Sequence, residues 1–121
     1  MSPNARILIV EDDDSIREFI EMGLEDEGYD SAAAADGAAA LALLGAYQPH
    51  IILLDLHMPH MDGQAFVEAY RQLPPPHAKI IVLTASRDAT TAAQTIAADS
   101  VLAKPFDLDD LYGTIRAFLP A

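Results

Sequence analysis

The chain has 121 residues, enough for one domain that buries about two-thirds of the surface its unfolded form exposes. Its 19 acidic residues against 7 basic ones give a net charge of −12, which argues against a nucleic-acid surface built on clustered Lys and Arg and favours cations and basic partners. The absence of cysteine excludes disulfides, thiolate metal sites and thiol nucleophiles, and no apolar run approaches the ~18 residues of a membrane span.

The first residues lack a basic segment leading into an apolar core and cleavage site, so a cytoplasmic protein without membrane association is expected. Strand and helix patterns alternate along the whole chain, which predicts an α/β fold: a parallel sheet with helices on both faces, as one domain over residues 1–121. The first strand is expected over residues 6–10, where Ile7-Leu8-Ile9-Val10 leads into Glu11-Asp12-Asp13-Asp14. Ile16, Phe19, Ile20, Gly23 and Leu24 then fall on one helical face. Ser15 with Glu18 three residues later has the spacing of a capping box, and Gly28 marks the stop. Asp13 and Asp14 are read as acids favoured at a helix N-terminus and not as ligands.

A short strand follows over about 29–33, then an alanine-rich helix from Asp36-Gly37 to about 46, with Leu41 and Leu44 inward. Ile51-Ile52-Leu53-Leu54 is a strand with no polar face, the composition of one buried on both sides, and it ends on Asp55. A helix over about 63–73 is stopped by Pro74-Pro75-Pro76, read as a stiff connection. Ile80-Ile81-Val82-Leu83 is the fourth strand and ends on Thr84. A polar, alanine-rich helix is expected over about 88–98, and a short strand over 101–103 leads into Lys104-Pro105. The last helix starts near Asp107 and carries Leu108, Leu111, Ile115 and Phe118 as its inward stripe.

Four strands thus discharge reactive groups: Glu11 and Asp12, Asp55, Thr84 and Lys104. Right-handed crossovers bring all of these carboxyl ends to one edge of the sheet, where open α/β folds place their chemistry. Clustered acids at that edge point to a hard divalent cation, with Asp55 as a nucleophile.

In this order and on these strand ends, the motifs Ile7-Leu8-Ile9-Val10-Glu11-Asp12, Asp55-Leu56-His57-Met58-Pro59 with Met61-Asp62-Gly63, Thr84-Ala85 and Lys104-Pro105-Phe106 resemble the receiver domain of bacterial response regulators over essentially the whole length. The resemblance implies a doubly wound, flavodoxin-like five-stranded sheet in the order 2-1-3-4-5. It implies that Asp55 takes a phosphoryl group from the phosphohistidine of a histidine kinase or histidine phosphotransfer protein, in a domain that is not an enzyme but assists its own phosphotransfer and slow dephosphorylation. Mg²⁺ (or Mn²⁺) would be held directly by Asp12, Asp55 and the His57 backbone carbonyl, and by Glu11 mainly through water. Thr84, Ala85 and Lys104 would bind the phosphoryl group and throw the switch. The side chains of His57 and Ser86 would set its lifetime, so His57→Ala is expected to change the autodephosphorylation rate and leave Mg²⁺ binding nearly intact. The Lys104–Pro105 bond is a candidate cis peptide.

The sequence departs from the family pattern at Val101, where receivers often carry Tyr or Phe, and at Ala97, where glycine is common. The stretch from Thr84 to Lys104 is also about two residues short of the family norm by that comparison. Output is therefore expected through the helix before the fifth strand, that strand and the last helix, toward an unspecified protein target, from a monomer or weak dimer. A phosphorylation-independent interaction module of the same fold is the alternative. A phosphohydrolase of the haloacid dehalogenase type would need Asp where His57 stands, and a flavodoxin would need a Ser/Thr-rich phosphate loop where Glu11-Asp12-Asp13-Asp14 stands.

Overall fold

Strands without a polar face require cover on both sides, and the architecture supplies it. In the computed structural model, residues 5–56, 63–84 and 97–119 are described. Their elements run β1 (Arg6–Val10), α1 (Asp14–Asp26), β2 (Asp30–Ala34), α2 (Gly37–Leu43), β3 (Ile51–Asp55), α3 (Gly63–Arg71), β4 (Lys79–Thr84), β5 (Ser100–Ala103) and α4 (Leu108–Arg116). The five strands form one parallel sheet in the order β2-β1-β3-β4-β5. Fold class and strand order match the sequence expectation. No described helix is long and apolar enough to cross a membrane.

Strand alternation divides the interior into two cores. Leu8, Val10, Ile52, Leu54, Ile80 and Val82 meet Ala40 and Leu44 of the α2 region and Phe66, Val67 and Tyr70 of α3. On the other face Ile7, Ile9, Ile51, Leu53, Ile81 and Leu83 meet Ile20 and Leu24 of α1 and Leu111 and Ile115 of α4. Every residue of β3 is therefore buried, Asp55 included.

Several boundaries and caps differ from expectation. The N-cap of α1 is Asp13, whose carboxylate accepts from the Ile16 N–H at 3.0 Å, and not Ser15. Asp13 has the extended backbone of an N-cap, with Asp14 already the first helical residue, so Ser15 lies inside the first turn where it cannot cap. Gly28 does lie just past the end of α1 with φ 81, a left-handed conformation glycine adopts freely. Phe19 is not inward: 43% of it is exposed, because Ile16, Ile20, Gly23 and Leu24 already fill the stripe. The second strand runs one residue later than expected, α2 stops at Leu43 instead of about 46, and α3 stops at Arg71 instead of 73.

The packing of α4 on α1 contains a contact the sequence conceals. The buried Tyr112 hydroxyl donates to the Gly23 carbonyl at 2.7 Å, and a Cβ on Gly23 would lie 2.5 Å from Leu108 Cδ2. Glycine is needed there for close approach. The helix expected over 88–98 lies outside the described residues apart from its end. Ala97 there has φ 53, a left-handed conformation that a Cβ disfavours, which gives a physical reason for glycine at this point. Its carbonyl accepts from Arg71 Nη2 at 3.1 Å.

Candidate functional site

The same alternation that builds the second core positions the charged groups. Ile7 and Ile9 are followed on their face by Glu11, and Ile51 and Leu53 by Asp55. Leu102 of that core is followed two residues later by Lys104. The apolar layer between the sheet and helices α1 and α4 thus ends, at the carboxyl edge, in two acids and an ammonium. Glu11 is fully buried and Asp55 is 3% exposed. Asp12, one residue beyond Glu11, is exposed to solvent.

Carboxylate oxygens of Glu11, Asp12 and Asp55 lie within 4.8 Å of one another. Lys104 Nζ is 2.6 Å from Glu11 Oε1 and 3.7 Å from Asp55 Oδ1. The other Glu11 oxygen, Oε2, accepts from the Asp13 N–H at 3.2 Å. Three carboxylates against one ammonium leave a formal charge of −2. Burial raises the Asp12 carboxyl and is the largest single influence on it. The interactions of Asp12 with the Asp55 and Glu11 side chains and its own backbone, with the Lys104 charge, outweigh that influence and hold it below the usual carboxylate range. The donor set is all hard oxygen, and its net charge is opposite and equal to that of a divalent cation. Such a set fits Mg²⁺, which typically takes one or two carboxylates directly and keeps water on its remaining positions, through which a further carboxylate can act. Softer ions that prefer thiolate or imidazole find no such ligands among the described residues at this edge.

Thr84 is buried at the end of β4, paired in register with Ala103, and its carbonyl accepts from the Lys104 N–H at 2.9 Å. Thr84 and Lys104 therefore leave adjacent strand ends. Val101 pairs with Val82 and packs, half-buried, on the α2–α3 core. The Lys104–Pro105 peptide is cis, as is Pro75–Pro76. His57, Ala85 and Ser86 lie outside the described residues.

Two features were not read from the sequence. Arg17 reaches from α1 to the Glu11 backbone carbonyl, at 3.0 Å from Nη1. An arginine at a solvent-facing helix position carries no signal for that bond. Beside Lys104, Ile16, Phe19, Pro105 and Phe106 line an apolar hollow of about 270 Å³. The spacing of Phe19 put it in the core stripe, so nothing in the sequence signalled this hollow.

Comparison with known proteins agrees with this arrangement. The family model for the response regulator receiver domain matches residues 7–116. The response regulator MprA of Mycolicibacterium vanbaalenii is 40% identical over 119 residues, covering 94% of this chain and 50% of that protein. The chain thus spans about half the length of the curated relatives it matches. Among solved structures, the chemotaxis protein CheY4 of Vibrio cholerae superposes with a TM-score of 0.84 at 33% identity, covering 97% of this chain and 100% of that one. The response regulator TrrA of Thermotoga maritima, solved in complex with Mg²⁺-BeF, gives 0.84 at 32% identity, covering 95% and 99%.

Proposed function

Because the chain belongs to the response regulator receiver family, we propose that it is a phosphoacceptor, taking a phosphoryl group onto Asp55 from the phosphohistidine of a histidine kinase or histidine phosphotransfer protein. The observation that supports this most is the buried Asp55 at the end of β3, with Lys104 Nζ at 3.7 Å and two further carboxylates in one cluster. In the transfer, an Asp55 carboxylate oxygen forms a bond to phosphorus as the phosphorus–nitrogen bond to the donor imidazole breaks, and the imidazole takes up a proton.

A carboxylate attacking an anionic phosphoryl group meets repulsion from the whole cluster, about 1 kcal/mol per like-charge pair at 4 Å in water and about 4 at an effective dielectric of 20. Mg²⁺ (or Mn²⁺), when bound to Glu11, Asp12 and Asp55, would neutralise that repulsion. Lys104 places a positive charge 3.7 Å from Asp55 Oδ1, where it would also meet the incoming phosphoryl oxygens. Thr84 offers a hydroxyl from the neighbouring strand end. Roles for His57, Ala85 and Ser86 rest on the family resemblance of their motifs alone.

Asp55 is almost wholly buried, so a donor protein must press against the surfaces around the acid cluster to reach it. The hollow lined by Ile16, Phe19, Pro105 and Phe106 supplies an apolar contact beside Lys104. The phosphorylated form would signal through a change at β5, the segment before it and α4. Val101 offers no ring to reorient, so backbone change before β5 carries the output, toward a protein target.

Intact-mass measurement after incubation with acetyl phosphate, with and without Mg²⁺, tests the reading on wild type and Asp55→Asn. A gain of one phosphoryl group that needs Mg²⁺ and is lost in the variant is expected. No gain with Mg²⁺ present would overturn it in favour of a phosphorylation-independent interaction module. Rapid continuous release of phosphate would overturn it in favour of a hydrolase.

A further inference from the structure

The turn that presents the acids is gripped by a side chain with no part in the scheme above. Arg17 Nη1 donates to the Glu11 backbone carbonyl at 3.0 Å, while Nη2 pairs with the Asp14 carboxylate. These two anchors bracket Asp12 and Asp13, so one planar guanidinium spans the entire turn between β1 and α1. The Arg17 side chain is only 18% exposed, so its bond to the Glu11 carbonyl is partly shielded from water, while the Asp14 carboxylate at the other anchor stands in solvent.

The other polar groups of Glu11 are engaged elsewhere. Its N–H donates to the Ala34 carbonyl at 3.1 Å, Oε2 accepts from the Asp13 N–H, and Oε1 faces Lys104. The carbonyl held by Arg17 belongs to the peptide that joins Glu11 to Asp12. Fixing the plane of that peptide fixes where the Asp12 Cα and its N–Cα bond lie, which leaves φ as the one backbone torsion between that plane and the Asp12 side chain. Asp12 is the one exposed member of the acid cluster, so it lacks the packing that orients Glu11 and Asp55.

We infer that Arg17 is a positioning residue for the divalent-cation site, holding the Glu11–Asp12 peptide so that Asp12 is delivered to the acid cluster. This inference rests on the reading of Asp12 as a metal ligand. It has a distinctive sign. By charge alone a nearby guanidinium weakens cation binding, so removing it should tighten Mg²⁺. As a support for a ligand, its removal should loosen Mg²⁺. Lysine at the same place keeps the charge but cannot fork between a carbonyl and a carboxylate.

Calorimetric Mg²⁺ titration of the whole chain, as wild type, Arg17→Met and Arg17→Lys, reads that sign, with circular dichroism following the fold of each. Arg17→Met is expected to raise the Mg²⁺ Kd about tenfold, the lower end of what partners behind metal ligands contribute, with Arg17→Lys in between. An unchanged or tighter Kd in Arg17→Met overturns the inference, and so does lowered thermal stability with an unchanged Kd. Should the methionine variant fail to fold, Arg17→Lys decides: a Kd equal to wild type overturns the inference and a weaker one supports it. A wild type that binds no Mg²⁺ overturns the metal reading and this inference with it, whereas wild-type binding unaffected by either variant removes Arg17 alone.

Discussion

Removing the positive charge at Lys104 should destabilise the metal-free protein and enlarge the stabilisation that Mg²⁺ confers. The attraction of Lys104 for Asp55 at 3.7 Å is about 4.5 kcal/mol at an effective dielectric of 20, and for Glu11 at 2.6 Å about 6. Desolvation of the ammonium offsets most of this, and deleting one partner of a buried pair costs about 3–5 kcal/mol in practice. Lys104 is 16% exposed and Asp12 opens the cluster to water, so Lys104→Met is placed at the lower end, about 3 kcal/mol. The variant cluster carries −3 in place of −2. Against a divalent cation one extra negative charge at about 4 Å is about 2 kcal/mol in water and about 8 at the lower dielectric. Water reaching the cluster through Asp12 keeps the gain near the small end, so Mg²⁺ should bind at least about tenfold tighter. With Mg²⁺ at ten times the wild-type Kd, wild type gains about 1.4 kcal/mol and the variant about 2.7. Urea unfolding with and without Mg²⁺, at matched ionic strength and unchanged m-value, measures both increments. Equal Mg²⁺ increments in the two proteins would refute the electrostatic reasoning, since they would mean that the ammonium and the cation do not share a site.

Three further substitutions probe how the site is held. Asp13→Ala removes the α1 cap and should lower stability by about 1 kcal/mol in urea, while the Mg²⁺ Kd moves less than about threefold; a loss of Mg²⁺ binding would make Asp13 a ligand. Gly23→Ala gains up to about 1 kcal/mol of helix propensity but drives a methyl into Leu108 and toward the Tyr112 hydroxyl. Leu108 is half-buried and can turn aside, so a net loss of about 1 kcal/mol is expected in the unfolding midpoint, and a stabilised variant would contradict the close approach of α1 and α4. Ala97→Gly relieves a left-handed alanine against the extra freedom glycine has when unfolded, so stability should rise by about 0.5–1 kcal/mol. A drop in the urea midpoint would argue against that conformation at Ala97.

Strand composition made most of the fold legible. Ile51-Ile52-Leu53-Leu54 can be satisfied only by cover on both faces, and a strand so covered places its terminal Asp55 at an edge shared with Glu11 and Lys104. That much follows from residue type and a period of two. Where two choices were chemically alike, the pattern was silent: Asp13 and Ser15 are both good caps by residue type, and only the extended backbone at Asp13 selects it. Phe19 has the spacing of a core residue and the wrong rotation, a difference of one step around the helix. Arg17 and Tyr112 were missed for a deeper reason. Each donates to a backbone carbonyl, of Glu11 and of Gly23, and carbonyls have no identity in a sequence. Such bonds depend on how α1 is set against the sheet and against α4, an angle that no local periodicity records. Carboxylates within 4.8 Å of one another become a single ligand set only when their main chain is turned to aim them. The chemistry of this edge is therefore written in its side chains, and its aim in the backbone contacts behind them.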